Sequence, residues 1–341
     1  MPEIDRTDVR ILKALMKDSR ISLAEIASDC KISTNAIRIR FNRLKKTGII
    51  TGSTILVNPK ILGYEGSAFI AINTDSDKEQ SVLEFLEKIP NIIQSHAQIG
   101  KHNIVSILFV KNLSELTHTV NAIRNNPHIS QVDTAISANT SPNSRPENLI
   151  IEQFNGLPNT NELFLKNETQ LMSDILDVHS NSDKESHNPE PDLDSIDVAI
   201  IKILAQDSRI SFRKLAKKLG LSTKTVIKRF ERLENVLAPH LTITLNLNKI
   251  GYTCNAVFCI NISKKSDTNE AFEKIVRIPN VIMATRCMGQ IDILAIAPFA
   301  NFEKLFKLKQ EIAKISGIKQ MEILLNRTYD SWPQNIISKL Q

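Results

Sequence analysis

The chain has 341 residues, enough for two to four domains, and 42% of them are hydrophobic, an ordinary globular share. No apolar run reaches the roughly 18 residues of a membrane-spanning helix, and the start, Met1-Pro-Glu-Ile-Asp5, lacks the basic-then-apolar layout of a signal peptide; a cytoplasmic protein without membrane contact is expected. The net charge of +6 is unevenly spread: eleven Lys or Arg face six Asp or Glu in residues 1–50, ten face five in 194–240, and three face ten in 141–193.

The chain repeats itself 189 residues on. Asp5-Arg-Thr-Asp8 returns as Asp194-Ser-Ile-Asp197, Asp18-Ser-Arg-Ile-Ser22 as Asp207-Ser-Arg-Ile-Ser211, Arg40-Phe-Asn-Arg-Leu44 as Arg229-Phe-Glu-Arg-Leu233, and Ile89-Pro-Asn91 as Ile278-Pro-Asn280. One long period means a duplicated unit rather than a solenoid. In the first copy, Val9, Leu12 and Leu15-Met16 share a helical face after the capping residues Asp5 and Asp8. Ser22-Leu-Ala-Glu25 has the form of a capping box opening a second helix, which buries Leu23, Ile26 and Ala27. Ser33 caps a third helix that stops near Gly48. Its Ile37, Phe41 and Leu44 fall on one face, leaving Thr34, Asn35, Arg38, Ile39 and Asn42 to solvent.

This pattern is a helix-turn-helix whose third helix enters a DNA major groove. Arg38 suits guanine, Asn35 suits adenine, and Ile39 suits a thymine methyl. Arg40, Arg43, Lys45 and Lys46 suit phosphates, with pairing to the acids of the first helix as the alternative for Arg40 and Arg43. The second head keeps the core Val226, Phe230 and Leu233 but exposes a different set, Thr223, Lys224, Ile227, Lys228 and Glu231. Two unlike half-sites on double-stranded DNA follow. The candidate DNA contacts are therefore Ser33, Thr34, Asn35, Arg38, Ile39, Arg40, Asn42 and Arg43, with Ser222, Thr223, Lys224, Ile227, Lys228, Arg229 and Arg232. The second head lacks a counterpart of Gly48 and has Asn235-Val-Leu-Ala-Pro239 there, so its helix must end differently. Each head leads into a wing-like β stretch, Ile49–Val57 or Leu241–Leu247.

Each body then reads as βαββαβ. In the first, strands are predicted at 67–73, 92–99, 103–110 and 129–137, with helices at 78–88 and 113–124. In the second, strands fall at 255–262, 281–288, 292–297 and 318–325, with helices at 268–276 and 300–315. The helices cover one sheet face, and the second body is the expected cover for the other. The proline-, Asn- and Ser-rich linker includes a candidate strand at Leu149-Ile-Ile151 and a candidate helix over 162–178. The expected division is a head at 1–52, a body at 53–140, an acidic linker at 141–192, a head at 193–247, a body at 248–330 and a tail at 331–341. The fold class is thus α+β, two winged helix-turn-helix domains alternating with two ferredoxin-like domains. Cys30, Cys254, Cys259 and Cys287 show no CxxC spacing and read as small buried apolar residues. No catalytic nucleophile, phosphate loop, metal cluster or cofactor motif stands out, so no enzyme is expected.

Head plus body resembles the Lrp/AsnC family of bacterial and archaeal transcription regulators. The resemblance rests on the Leu193-Asp-x-x-Asp197 opening, the Asp-Ser-Arg-Ile-Ser element, the Arg-Phe-x-Arg-Leu helix and the βαββαβ body, called RAM in that family. It covers essentially the whole chain except the linker. It implies sequence-specific DNA binding, dimerisation and further homo-oligomerisation through the bodies, and control by a small effector, typically an amino acid. The effector would bind between bodies at the turn joining the second and third body strands. The family's Gly-x-x-Asp pattern stands as Gly289-Gln-Ile-Asp292 after Met288, and as Gly100-Lys-His-Asn103 in the first repeat, with Asn for Asp. Gly100, Asn103, Met288, Gly289 and Asp292 are accordingly candidate effector contacts, although from the residues alone this is a hairpin turn. Siroheme decarboxylases resemble the same architecture and give the alternative, a tetrapyrrole enzyme needing His, Tyr and Arg around this region. His96 and His102 sit there, whereas the second repeat has Thr285-Arg-Cys-Met-Gly289. A sensor whose heads no longer bind DNA is the third reading.

Overall fold

A computed structural model describes residues 4–137, 143–144, 146–149, 193–237 and 239–337. In the first head, α1 (Arg6–Lys17) opens with a reciprocal capping box between Asp5 and Asp8 and buries Val9, Ile11, Leu12, Leu15 and Met16. α2 (Leu23–Cys30) opens with the Ser22–Glu25 box and closes on Lys31 in the left-handed region, φ 55°. α3 (Thr34–Lys46) is capped by Ser33, whose Oγ accepts the Ala36 N–H, and buries Ile37 and Leu44. The second head repeats this with α6 (Ser195–Gln206), α7 (Phe212–Leu219) and α8 (Thr223–Leu237). Gly220 occupies the left-handed position that Lys31 fills in the first head. Without a counterpart of Gly48, α8 runs to 15 residues against 13 in α3.

The two stretches expected as wings pair with each other. β1 (Ile50–Leu56) and β7 (His240–Leu245) form an antiparallel ribbon, with Ser53 opposite Ile243 and Ile55 opposite Leu241. The ribbon is shared between the cores: Ile243, Leu245 and Leu247 complete the first head, while Ile55 and Leu241 complete the second. Thr242 donates to Met16 O at the end of α1, and Thr54 donates to Ala205 O at the end of α6. The repeated Asp-Ser-Arg-Ile-Ser element lies on the pseudo-twofold axis between heads. Ser19 Oγ and Ser208 Oγ are 2.6 Å apart and buried. Arg20 donates to Ser208 O (2.7 Å) and Ile210 O (3.1 Å), and Arg209 donates to Ser19 O. The same guanidinium groups lie over aromatic rings of the opposite head, Arg20 on Phe212 and Arg209 on Phe41.

In the first body, β2 (Gly66–Thr74), β3 (Ile92–Ile99), β4 (Ile104–Val110) and β5 (Ile129–Ser137) form an antiparallel sheet in the order β5-β2-β4-β3, with α4 (Glu79–Leu86) and α5 (Leu113–Arg124) on its outer face. Alternation places Ala68, Ile70, Ile72, Ile104 and Leu108 under those helices. Phe69, Ile107 and Ala135 face the other way. The second body matches this with β8 (Cys254–Ile262), β9 (Met283–Arg286), β10 (Ile293–Phe299), β11 (Ile318–Arg327), α9 (Thr268–Val276) and α10 (Phe302–Ala313). Its inward residues Val257, Leu294, Ile296 and Leu324 join the core of Phe69 and Ala135, so each sheet covers the other.

The sheets also join along their edges. β3 pairs with β11, Ile99 opposite Leu325 and Gln98 opposite Asn326. At the other edge Met288 and Ile136 exchange N–H to O bonds of 2.6 and 3.0 Å. The two joins are the same contact displaced by one repeat. The beginning of the linker crosses to the second body: β6 (Asn143–Ser144) pairs with β9, Leu149 is buried, and Asn148 Nδ2 donates to Val276 O and Val281 O. The strand and helix expected at 149–151 and 162–178 otherwise lie outside the described residues.

Candidate nucleic-acid interface and body turns

On α3, Ser33, Asn35, Arg38, Ile39 and Asn42 are exposed and Thr34 is half-buried. Ile39 is 62% exposed, an unusual outlay of apolar surface on a helix that already has a core face. On α8, Ser222, Thr223, Lys224 and Lys228 are exposed, whereas Ile227 is half-buried against the junction between heads. Ser222 Oγ accepts the Thr225 N–H and caps this helix. Ser222, Lys224, Thr225, Lys228, Arg229 and Arg232 line a cleft of about 430 Å³ at its N-terminal end.

Four arginines expected to contact DNA, two of them (Arg40 and Arg43) at phosphates, have another engagement. Arg40 donates to Asp5 and to Asp8 (3.1 Å), and Arg43 to Asp8. Arg229 donates to Asp194 (2.7 Å) and Asp197 (2.9 Å), and Arg232 lies 3.5 Å from Asp197. Asp8 and Asp197 are fully buried, and a buried carboxylate needs this compensation. The hydrogen bond to Asp5, set against partial burial, raises the Arg40 guanidinium further above its ordinary range. The backbone N–H of Asp197 and then Arg229 hold the Asp194 carboxyl below the usual carboxylate range. These arginines therefore clamp the first helix of each head to the third, and the alternative noted for Arg40 and Arg43 is the one adopted. Arg38, Lys224 and Lys228 have no ion pair among the described residues and present free cations on the exposed faces.

The candidate effector residues occupy equivalent places at the two body turns, but their polar groups serve the fold. Asp292 Oδ2 accepts the Ile262 N–H at 2.7 Å. Asn103 does the same job twice over: Oδ1 accepts the Thr74 N–H at 3.0 Å and Nδ2 donates to Thr74 O at 2.8 Å. Asn for Asp thus adds a donor where a carbonyl is available. Gly100 and Gly289 both have positive φ, and both abut the opposite body. A Cβ on Gly100 would collide with Leu324, and one on Gly289 would sit 3.0 Å from Thr134 O. Met288 uses its backbone N–H and C=O on Ile136, so they are not free for a ligand, while its side chain is 62% exposed.

His102 is buried with Nε2 2.9 Å from Asp133 Oδ2, and Lys101 lies 3.7 Å from the same oxygen. Hydrogen bonds from Gln131 and His102 outweigh partial burial and lower the Asp133 carboxyl. His96 packs against Tyr329, ring centres 5.8 Å apart. Among the described residues no group of three or more His, Cys, Asp or Glu is placed to hold a metal ion, and no helix is long and apolar enough to cross a membrane. The residues that sequence reasoning missed are Ser19, Arg20, Ser208 and Arg209. Their signal was identity between the repeats, since a residue that meets its own counterpart on an axis serves both copies alike.

Comparison with known proteins places each part. A winged helix-turn-helix DNA-binding family matches residues 4–51, the Lrp/AsnC ligand binding domain matches 67–146, and the AsnC-type helix-turn-helix domain matches 193–234. An uncharacterised helix-turn-helix transcriptional regulator of Pyrococcus horikoshii is 38% identical over 114 residues, 33% of this chain and 72% of the relative. The regulatory protein AsnC of Escherichia coli is 34% identical over 135 residues, 39% of this chain and 89% of the relative. Among solved structures, the siroheme decarboxylase NirDL, in complex with an iron-uroporphyrin III analogue, matches 94% of this chain and 91% of its own length with a TM-score of 0.59 at 16% identity, a likeness of fold. The sequence relatives thus each match about one repeat of this chain, whereas the NirDL fold extends over nearly all of it. With its head and body sequences matched in this way, the chain belongs to the Lrp/AsnC family.

Proposed function

We propose that the protein is a sequence-specific DNA-binding transcription regulator in which one chain supplies both heads of an internal pseudo-dimer. The heads are taken as 1–52 and 193–247, and the bodies as 53–140 and 248–330. The observation that carries this reading is the split among the cations of α3 and α8. Arg40, Arg43, Arg229 and Arg232 are absorbed by acids of the head core, while Arg38, Lys224 and Lys228 stand exposed beside the caps Ser33 and Ser222. Exposed cations and amides at the N-terminal half of a recognition helix are what base-edge and phosphate contacts require. The E. coli and P. horikoshii relatives, both named as regulators, support the same reading. The unlike faces of α3 and α8 select an asymmetric site whose halves are separated by about one helical turn, roughly 34 Å, or a multiple of it.

An amino-acid effector at the body turns is a secondary part of the proposal. It rests on the match of the first body to a ligand binding domain and on the exposed Met288 side chain beside Gly289. The tetrapyrrole reading has the NirDL fold in its favour, but His102 is engaged by Asp133 and His96 packs on Tyr329. The test is fluorescence anisotropy against duplex from the gene's own upstream region and a scrambled duplex, at low and physiological salt. Preference for the upstream duplex that survives physiological salt is expected. Equal binding that vanishes with salt overturns the reading, and visible absorbance on adding an iron-tetrapyrrole then tests the alternative.

A further inference from the structure

A cavity of about 410 Å³ opens where the end of α1 meets α7, α8 and the start of β7. That size is within the range of small-molecule sites, about 300–1,000 Å³. Its lining is divided by chemistry. Phe212, Phe230 and Leu241 give an apolar wall, with Phe230 and Leu241 buried; Asp18, Glu231 and Glu234 stand exposed around them. Arg20 lies between the two sets, its guanidinium carbon 4.2 Å from the Phe212 ring centre and 5.4 Å from that of Phe230. It is fixed there by its bonds to Ser208 O and Ile210 O. His240, also on the lining, has Nε2 2.9 Å from Met16 O, so that nitrogen carries the proton and donates. Three carboxylates thus share the lining with two cations, Arg20 and Lys17, beside an aromatic wall; Asp18 Oδ1 accepts the Arg20 backbone N–H at 2.7 Å, and Glu231 and Glu234 stand on α8. Partial desolvation at the cavity wall is the main cause that pushes the Glu234 carboxyl up; Arg20 opposes it, and Asp18 and Glu231 add to it.

The counterpart of this place in the first head keeps one acid, Asp207 for Asp18, but loses both glutamates. At the positions of Ile227, Glu231 and Glu234 stand Arg38, Asn42 and Lys45, while the arginine on the axis, Arg209, is retained. The acidic character is therefore a property of one junction alone, not of the duplicated unit. We propose that this cavity binds a small amphiphilic amine, its ammonium among Asp18, Glu231 and Glu234 and its apolar part against Phe212, Phe230 and Leu241. An ammonium gains both from the carboxylates and from the ring faces. The site goes beyond the DNA-binding reading and needs no DNA to exist. Because α8 supplies both Glu231 and Glu234 here and Lys224 and Lys228 on the outer face, an occupant is placed to alter how the second head meets a duplex.

The test is calorimetric titration of the full chain, without DNA, by 2-phenylethylamine, with 3-phenylpropanoate and 2-phenylethanol as anionic and neutral counterparts at matched ionic strength. Saturable amine binding with a dissociation constant below about 1 mM is expected, at least about ten-fold tighter than either counterpart. The Glu231→Gln/Glu234→Gln double variant, checked for an unchanged melting profile, is expected to weaken the amine by about ten-fold. Lys17→Glu, an exposed change that adds negative charge at the rim, is expected to tighten it a few-fold. Equal binding of all three compounds, preference for the acid, no saturation by about 10 mM, or insensitivity to both variants overturns the proposal. None of these outcomes depends on whether the heads bind DNA.

Discussion

The arginines of α3 show how one residue type divides into two roles within two helical turns. Asp8 is fully buried and is satisfied by Arg40, Arg43 and the Asp5 N–H. Arg43→Gln removes one donor but leaves Asp8 two partners, so a loss of about 1 kcal/mol in stability is expected, with little change in DNA affinity. Arg38→Gln removes an exposed cation with no ion pair among the described residues, and the opposite is expected: unchanged stability and a DNA affinity lower by about 1–3 kcal/mol. Urea unfolding and anisotropy on both variants check the division, and a large affinity loss in Arg43→Gln would return that residue to the interface. Asp8→Asn keeps an acceptor for the Asp5 N–H while deleting the charge, and is expected to cost about 2–3 kcal/mol. At the same scale, burial pushes the thiols of Cys259 and Cys287 up to about 12. Both side chains are half-buried rather than sealed. Relative to an ordinary thiol their thiolate fraction at pH 8 falls by roughly a thousand-fold, so a thiol reagent should label both far more slowly in the native protein than after denaturation. Equal rates before and after denaturation would show that burial does not hold these thiols protonated.

Among elements, the ends of α2 and α7 offer a matched pair. Both helices close in the left-handed region, on Lys31 in one head and Gly220 in the other. A Cβ added at Gly220 meets nothing within 4 Å, so Gly220→Ala isolates the backbone cost, about 1 kcal/mol. Lys31→Gly should recover about 0.5–1 kcal/mol by the same reasoning. Opposite shifts in melting temperature are expected, and shifts of the same sign would mean that the caps are not equivalent. The elements themselves were legible in the sequence because each follows its own period: Ile37, Phe41 and Leu44 mark a helix face, and alternation through β2 marks a strand. What periodicity leaves open is the partner. A period of two says which face of β1 is apolar, but not that β7, 186 residues further on at the Ile55–Leu241 bridging pair rather than in its own head, supplies the neighbour. Most of the outer faces of α3 and α8 were legible as exposed positions, Thr34 and Ile227 being half-buried instead, whereas the ion pairs that withdraw Arg40 and Arg43 depend on how α1 crosses α3. The role of Asn103 was hidden for a similar reason, since its partner Thr74 lies at the end of another strand.

For the whole molecule, the joins decide whether the halves act singly or together. The heads share a two-stranded ribbon and a buried serine pair, and the bodies share an inner core and both sheet edges. Apolar side chains from one half thereby finish the core of the other, so neither head has a complete interior without its neighbour. Ile243 tests this most directly. It is 1% exposed, lies on the second head's strand opposite Ser53, and packs in the core of the first head. Ile243→Asp buries a carboxylate with no cation to meet it, an error costing several kcal/mol. If the ribbon is the common element, hydrogen exchange should accelerate in α1–α3 and α6–α8 together, and thermal unfolding of the unmodified protein should show the two heads losing structure in one transition. Loss of protection confined to the first head would mean that the second folds on its own and that the ribbon merely touches it. The joint outcome carries a functional corollary: because the ribbon also fixes the spacing of α3 and α8, the variant should lose bivalent DNA binding altogether rather than retain the affinity of one intact head.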